Sequence, residues 1–478
     1  MADLGQRPVS RRTLLRGSAA VAALGGISAF IAACTSSATP SPTAAASEAP
    51  TAAATAAASA SGSGAASGSA PASAAASLGG SLHIGSNHSD PGEKKGMDAI
   101  NAAFQQATGI QVVMNTVDHG TFQDQITNYL GGTPDTAYTW FSGFRMKFFA
   151  DQGLNVALDD VWSTVKGNYT AGFANAVVGN DGKVYGIPVD YYPWCVFYRK
   201  SVFQSKGYTI PATWNDMITL CKKMQTDGLT PIAFGDKDGW PAMGTFDILN
   251  LRMNGYDFHV GLMAGKEKWT DPKVTAVFKQ WAEFLPYHAK DYAGLTWQQA
   301  ADTLVQKKSG MYLLGLFVSS EFQATKNPAD LDDLDFFPFP TLGTQYDAEA
   351  ALDAPIDIWA IAAKSPNLQA ETDQYKAYME FWSKGSTQLI MFQNQAGLIP
   401  AASDADTSSY SALQKKAVEI VSKAQKITQF LDRDTRSDFA GSNGMQSFLQ
   451  KFLSNPTQDL TAYQKSIQDF WDALPPLS

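Results

Sequence analysis

Between residues 81 and 140 the chain alternates short β-branched runs with amphipathic stretches, and that order narrows the fold more than any other feature. Ser81–Gly85 reads as a strand, and Met97–Ala107 as a helix with Met97, Ile100 and Phe104 on one side. Ile110–Val117 reads as a second strand, rich in β-branched residues. Phe122–Leu130 is the next expected helix, stopped by Gly131 and Gly132, and Thr136–Trp140 the third strand. Strand, helix, strand, helix, strand predicts a mainly parallel α/β sheet with helices on its faces. In such a sheet, ligand-contacting groups belong to the loops at strand C-terminal ends.

Further along, Val184–Pro188, Pro231–Phe234, Gly310–Phe317, Phe336–Phe339 and Ala354–Ala362 read as strands or apolar edges. Trp214–Met224, Ile248–Met253, Val274–Leu285, Trp297–Lys307 and Gln374–Trp382 read as helices, and the tail is helical near 412–428, 444–452 and 460–474. The body from Leu82 to Ser478 is close to 400 residues. One core usually stops growing below that size, so two domains are expected.

The first 33 residues do not belong to that body. Arg11 and Arg12 sit in a basic zone, Ala19–Ala33 is apolar, and Ile31, Ala32, Ala33 and Cys34 follow in order, which is the layout of an export signal. The apolar zone is short and rich in Gly and Ala for a permanent membrane helix. Arg11 and Arg12 resemble a twin-arginine export signal, and Ile31–Cys34 resembles a bacterial lipobox, with Ile31 where Leu is usual. By that resemblance residues 1–33 are removed and Cys34 carries lipid on the extracytoplasmic face. Residues 34–80 are almost wholly Ala, Ser, Thr, Gly and Pro, with Glu48 as the only charge, and read as a tether.

Loss of residues 1–33 removes Asp3 and four arginines, Arg7, Arg11, Arg12 and Arg16, so the formal charge of −9 becomes −12. An acidic body with no Lys/Arg block argues against nucleic acid as a partner. Beyond Cys34 only Cys195 and Cys221 remain, either two buried thiols or one disulfide, but no disulfide framework. No nucleotide-binding glycine loop, HExxH, EF-hand or GxSxG pattern occurs. The five histidines, His83, His88, His119, His259 and His288, lack i,i+4 pairing, so neither a metal nor a cofactor is expected.

Six segments, taken in order, resemble the family-one sugar-binding solute receptors of ABC importers, the family that includes maltose-binding protein. They are the lipobox with tether and first strand, LGGTPDTAYTW (130–140), DGKVYGIPV (181–189) with FYRK (197–200), PATWND (211–216), KSGMY (308–312) and GLIP (397–400). Arg199 stands where the family has Asn. The resemblance spans nearly all of residues 80–478. It implies an α/β, two-lobe, type II periplasmic-binding-protein-like fold with hinge crossings and a central cleft. One lobe takes 80–190 and 357–398, and the other 191–356 and 399–478. It also implies a monomeric receptor with a carbohydrate ligand, importer membrane subunits as partners, and no catalysis.

Sugars offer C–H faces that stack on aromatic rings and hydroxyls that need short polar partners. Candidate contacts are therefore Asn87 and His88 after the first strand, Asp118 after the second, and Trp140 ending the third. Tyr191 and Trp194 lie by the first crossing, Trp240 follows Gly239, and Phe317 follows the apolar run Leu313–Leu316. Asp357 and Trp359 lie in the second crossing strand. Asp432, Arg433, Asp434 and Arg436 read as surface ion pairs, with Arg436 facing the cleft as the minor reading. Core packing competes for each ring. A secreted glycan-cleaving enzyme, a receptor of the same fold for a non-sugar solute and a surface adhesion lipoprotein are the competing functions, and no carboxylate pair stands out for the first.

Overall fold

The strand–helix alternation at the start of the body folds as its pattern predicts. The computed structural model describes residues 78–476, so the signal segment, Cys34 and nearly all of the tether lie outside the described residues. In chain order the strands are β1 Ser81–Ser86, β2 Gln111–Thr116, β3 Ala137–Phe141, β4 Ile187–Tyr191, β5 Trp194–Arg199, β6 Thr230–Ala233, β7 Ser309–Gly315, β8 Leu334–Phe337, β9 Leu352–Asp353, β10 Ile356–Ile361, β11 Ile399–Pro400 and β12 Ile427–Thr428. β2, β1 and β3 run parallel, with Ser81 opposite Gln111 and Ile84 opposite Ala137. The helices Pro91–Thr108 and His119–Gly131 carry the chain between them.

The sheet then stops being parallel. β10 lies antiparallel to both β3 and β4, and β11 antiparallel to β4, giving the order β11-β4-β10-β3-β1-β2. A mixed sheet arises because β10 and β11 come from distant segments and need no crossover helix to join it. A second sheet has the order β6-β7-β5-β8, with β6 parallel to β7 and β5 antiparallel to β7 and β8. β9 and β12 form a separate parallel pair. The chain therefore passes from the first sheet to the second between Tyr191 and Trp194.

Helix boundaries shifted where capping chemistry acts. The helix Pro91–Thr108 begins before Met97, because Pro91 sits in its first turn with Glu93, and it ends at Gly109 with φ 76°. The helix Pro241–Met263 is much longer than the expected Ile248–Met253. Nearly all of its sides are buried, so its sequence lacks the one-sided apolar period that marks a surface helix. It is interrupted at Gly255, φ 80°, where a Cβ would lie 2.3 Å from the Tyr346 ring.

Cys195 and Cys221 are both free and buried, so they form no bridge. The core of the first sheet is aromatic. Trp359, 1 % exposed, meets Tyr378 and Trp382 edge-on at centroid distances of 5.1 and 5.4 Å. Around the second sheet, Phe278, Trp281, Phe452 and Tyr463 interlock between helices. Trp359→Ala is predicted to cost about 3–5 kcal/mol of stability by opening a core cavity. Urea denaturation checks this, and a loss under about 1 kcal/mol would contradict the assignment of Trp359 to the core.

Candidate ligand-binding site

A cavity of about 310 Å³ lies where loops of the first sheet face the aromatic segments of the second. The loop after β1 brings Asn87 and His88, and the start of the helix Pro91–Thr108 brings Asp90 and Glu93. Asn87 is fixed by Thr139, whose Oγ1 donates to Asn87 Oδ1 at 2.7 Å and accepts from the Asn87 amide at 3.0 Å. Asp118 caps the helix His119–Gly131 by accepting from the Thr121 amide and hydroxyl at 3.0 and 2.9 Å. Those bonds hold its carboxyl below the usual range. Phe141, at the end of β3, completes this side.

The opposite side is a cluster of rings. Trp194 stacks on Phe430 at 5.0 Å with 26° between planes, and Trp240 stands edge-on to Trp194 at 6.3 Å. Phe317 meets Trp297 at 4.9 Å and Tyr192 at 5.2 Å. Small residues make room for these rings. A Cβ on Gly244 would fall 2.2 Å from the Trp194 indole, and one on Gly397 would fall 2.0 Å from the Phe317 backbone. One hydrogen bond spans the mouth, from Gln298 Nε2 to Asp90 Oδ1 at 3.0 Å.

Arg433 sits at the floor. Its Nη1 donates to Asp357 Oδ1 at 2.6 Å and its Nη2 to the Tyr192 hydroxyl at 2.6 Å. Its guanidinium lies 3.9 Å from the centroid of the Phe141 ring, a cation–π contact. Burial alone would lower the Arg433 pKa, but Asp357, Tyr192 and Asp432 together hold it above its ordinary value. Asp190, opposite Asp357 in the β4–β10 ladder, is pushed well up by burial and by the Asp357 charge. Glu93 is pushed well up by burial, then by Asp90, Asp357 and Asp190. His119 is driven down to about 4 by burial and the Arg433 charge. Its Nε2 lies 2.7 Å from Gln123 Nε2, and Gln123 Oε1 accepts from Arg145 at 2.6 Å. His88 Nδ1, Trp194 Nε1, Asp432 Oδ1 and Arg433 Nε are buried without a hydrogen-bond partner, an uncommon condition for buried polar atoms.

Of the residues singled out by sequence, Asn87, His88, Asp118, Trp194, Trp240, Phe317 and Asp357 line this cavity. Trp140, Tyr191, Trp359 and Arg436 do not, and each miss has a geometric reason. Asp357 pairs with Phe141 and Ile358 with Trp140, so strand alternation turns Phe141 toward the cavity and Trp140 away. Trp140 is packed among Phe122, Tyr138, Phe141 and Phe149. Tyr191 likewise faces away from its neighbour Tyr192 and lines a different cavity, of about 720 Å³, with Ile356 and Gln429. Trp359 shares a face with Asp357 but lies roughly 7 Å further along the strand, beneath the helix Thr372–Trp382. Arg436 is buried against Asp438, with paired bonds of 2.6 and 2.7 Å. The expected surface ion pairs are also corrected, since Asp432 and Arg433 are 3 % and 5 % exposed and belong to the cavity. Tyr192, Phe141, Glu93, Trp297, Phe430 and Arg433 are among the cavity residues that sequence reading missed. Among the described residues no group of three or more His, Cys, Asp or Glu is arranged to hold a metal ion. Nor is any helix among them long and apolar enough to cross a membrane.

A ring-lined, polar-floored space between two α/β lobes is the architecture of a solute receptor. The chain belongs to the bacterial extracellular solute-binding protein family, whose model matches residues 89–384, a family of binding proteins and not of enzymes. It is similar to the solved bacterial solute receptor AcbH, described as having an exclusive substrate preference for β-D-galactopyranose. The two are 42 % identical with a TM-score of 0.77, covering 82 % of this chain and 98 % of that one. It is 24 % identical, over 70 % of this chain and 74 % of the relative, to an uncharacterised ABC transporter extracellular-binding protein of Pyrococcus horikoshii. It is 23 % identical, over 79 % and 84 %, to the alpha-glucosides-binding periplasmic protein AglE of Rhizobium meliloti. The maltose-bound MalE3 of T. maritima shares the fold, with a TM-score of 0.66 at 15 % identity, covering 83 % of this chain and all of that one.

Removing Arg433 leaves the Asp357 carboxylate buried without its cation. Arg433→Met is predicted to destabilise the protein by about 3–5 kcal/mol, and Arg433→Met with Asp357→Leu to recover much of that loss. Thermal unfolding of the single and double variants checks this; a double variant no more stable than the single one would contradict the pairing.

Proposed function

We propose that this chain is a carbohydrate receptor that closes its two lobes on one sugar ring and passes it to an ABC importer. The carrying observation is the aromatic cluster of Trp194, Phe430, Trp240, Phe317 and Trp297 facing the Arg433–Asp357 pair across one cavity. Flat ring faces suit the C–H surfaces of a pyranose. Arg433, Asp357, Asn87 and His88 suit its hydroxyls. A cavity of about 310 Å³ is at the small end of ligand pockets, which favours one sugar ring over a chain of them. The similarity to AcbH makes D-galactose the first ligand to try.

In this reading the first lobe is 80–190 with 357–398, and the second is 191–356 with 399–478. The lobes move about the crossings near Val189–Tyr191, Ala354–Asp357 and Gly397–Ala401. Pro188, Pro355 and Pro400 stiffen the backbone beside those crossings. A twin-arginine signal exports the chain, Cys34 takes lipid, and residues 35–80 hold a monomeric body away from the membrane. Similarity to an ABC transporter binding protein supports the importer as partner.

Isothermal titration of the purified body against D-galactose, other hexoses and short oligosaccharides tests the reading. A 1:1 heat signature with a monosaccharide, stronger than with any oligosaccharide, is expected. No heat with any sugar of the panel overturns it.

A further inference from the structure

Trp240, Gly244 and Asp247 fall at i, i+4 and i+7, one stripe along the start of the helix Pro241–Met263. Trp240 lines the cavity, and Gly244 lies under the Trp194 indole. Asp247 is fully buried, and its Oδ2 accepts from the Leu431 amide at 2.5 Å. Leu431 follows Phe430, which holds φ 111°, a left-handed value that a residue with a Cβ adopts only under constraint. Phe430 O in turn accepts from the amides of Arg433 and Asp434 at 2.9 and 2.8 Å, closing a tight turn. This turn carries the ring that stacks on Trp194 and the guanidinium that binds Asp357 and Tyr192.

We propose that Asp247 is a positioning residue of the binding cavity, its carboxyl oxygen holding the strained Phe430–Arg433 turn so that both side chains face the ligand. The proposal rests on reading this cavity as the ligand site. Asp247 has no close cation to satisfy. His259 Nε2 lies 3.9 Å from Asp247 Oδ1, and the other ionisable neighbours are the acids Asp353, Asp434 and Asp432. Asp353 is itself 0 % exposed, with neither oxygen hydrogen-bonded. Burial, followed by the Asp353 charge, pushes the Asp247 carboxyl well up, and His259 is held neutral by burial. The Leu431 amide needs only one carboxyl oxygen as acceptor, and an asparagine supplies the same acceptor. The acceptor, not the charge, is therefore what the turn uses.

The test compares the wild-type body, Asp247→Asn and Asp247→Leu by titration with D-galactose and by crystal structure. Asp247→Asn is expected to bind within about threefold of wild type. Asp247→Leu, which keeps the branch at Cγ with bulkier methyls but has no acceptor, is expected to bind at least tenfold more weakly, with Phe430 displaced from Trp194 in its crystal structure. Asp247→Leu with wild-type affinity, or with the Phe430–Trp194 stack intact, overturns the proposal. Should Asp247→Leu fail to fold, Asp247→Asn decides, and a tenfold loss there overturns it. Should the wild type give no heat with D-galactose, that ligand is wrong, and the position of Phe430 in the variant crystal structures decides the role of Asp247.

Discussion

The rest of the site depends on one buried ion pair. Arg433 comes from a segment near the C-terminus, and Asp357 from a strand at the centre of the first sheet. Each is desolvated, so neither is tolerable alone, and the pair draws the Phe430–Asp434 turn against β10. Phe141 packs under the guanidinium and Tyr192 accepts from it. Two rings that would otherwise be ordinary core thus become the polarised floor of a cavity. Burial and the Asp357 charge push the Asp190 carboxyl well up beside the pair.

The remaining acids around the cavity follow the same electrostatic logic. Burial and the neighbouring acids push the Glu93 carboxyl up, whereas the Thr121 amide and hydroxyl hold the Asp118 carboxyl down. His119 stays neutral next to Arg433. The cavity lining sets Arg433, paired with Asp357, among further acids and uncharged donors and acceptors.

Much of this fold was legible because the first three strands and their helices carry clean periodicity and their own turn and cap residues. The antiparallel entry of β10 and β11 was not, since strand direction in the sheet is decided by segments far apart in sequence. The lining of the candidate cavity was legible at loop positions such as Asn87, His88 and Asp118, which follow directly from strand order. It failed by one residue at Trp140 and Tyr191, where Phe141 and Tyr192 take the cavity-facing side. Side-chain parity in a strand depends on pairing register, which sequence alone did not set. The Asp432–Arg436 segment has the look of a solvated charge cluster, because nothing local reveals that its partner is Asp357. Trp297 and Phe430 carried no local signal at all; their places are set by tertiary packing around Trp194 and Phe317.

The central claim is that one solute binds between the aromatic cluster and the Arg433–Asp357 floor. The most direct measurement is a crystal structure of the protein soaked with D-galactose, or with whatever small molecule mass spectrometry finds retained on purification. The account predicts one ring seated against Trp194 and Trp240, with its hydroxyls within hydrogen-bond distance of Arg433 or Asp357. A ligand seated instead in the larger cavity lined by Tyr191 and Ile356, with the floor untouched, would contradict it.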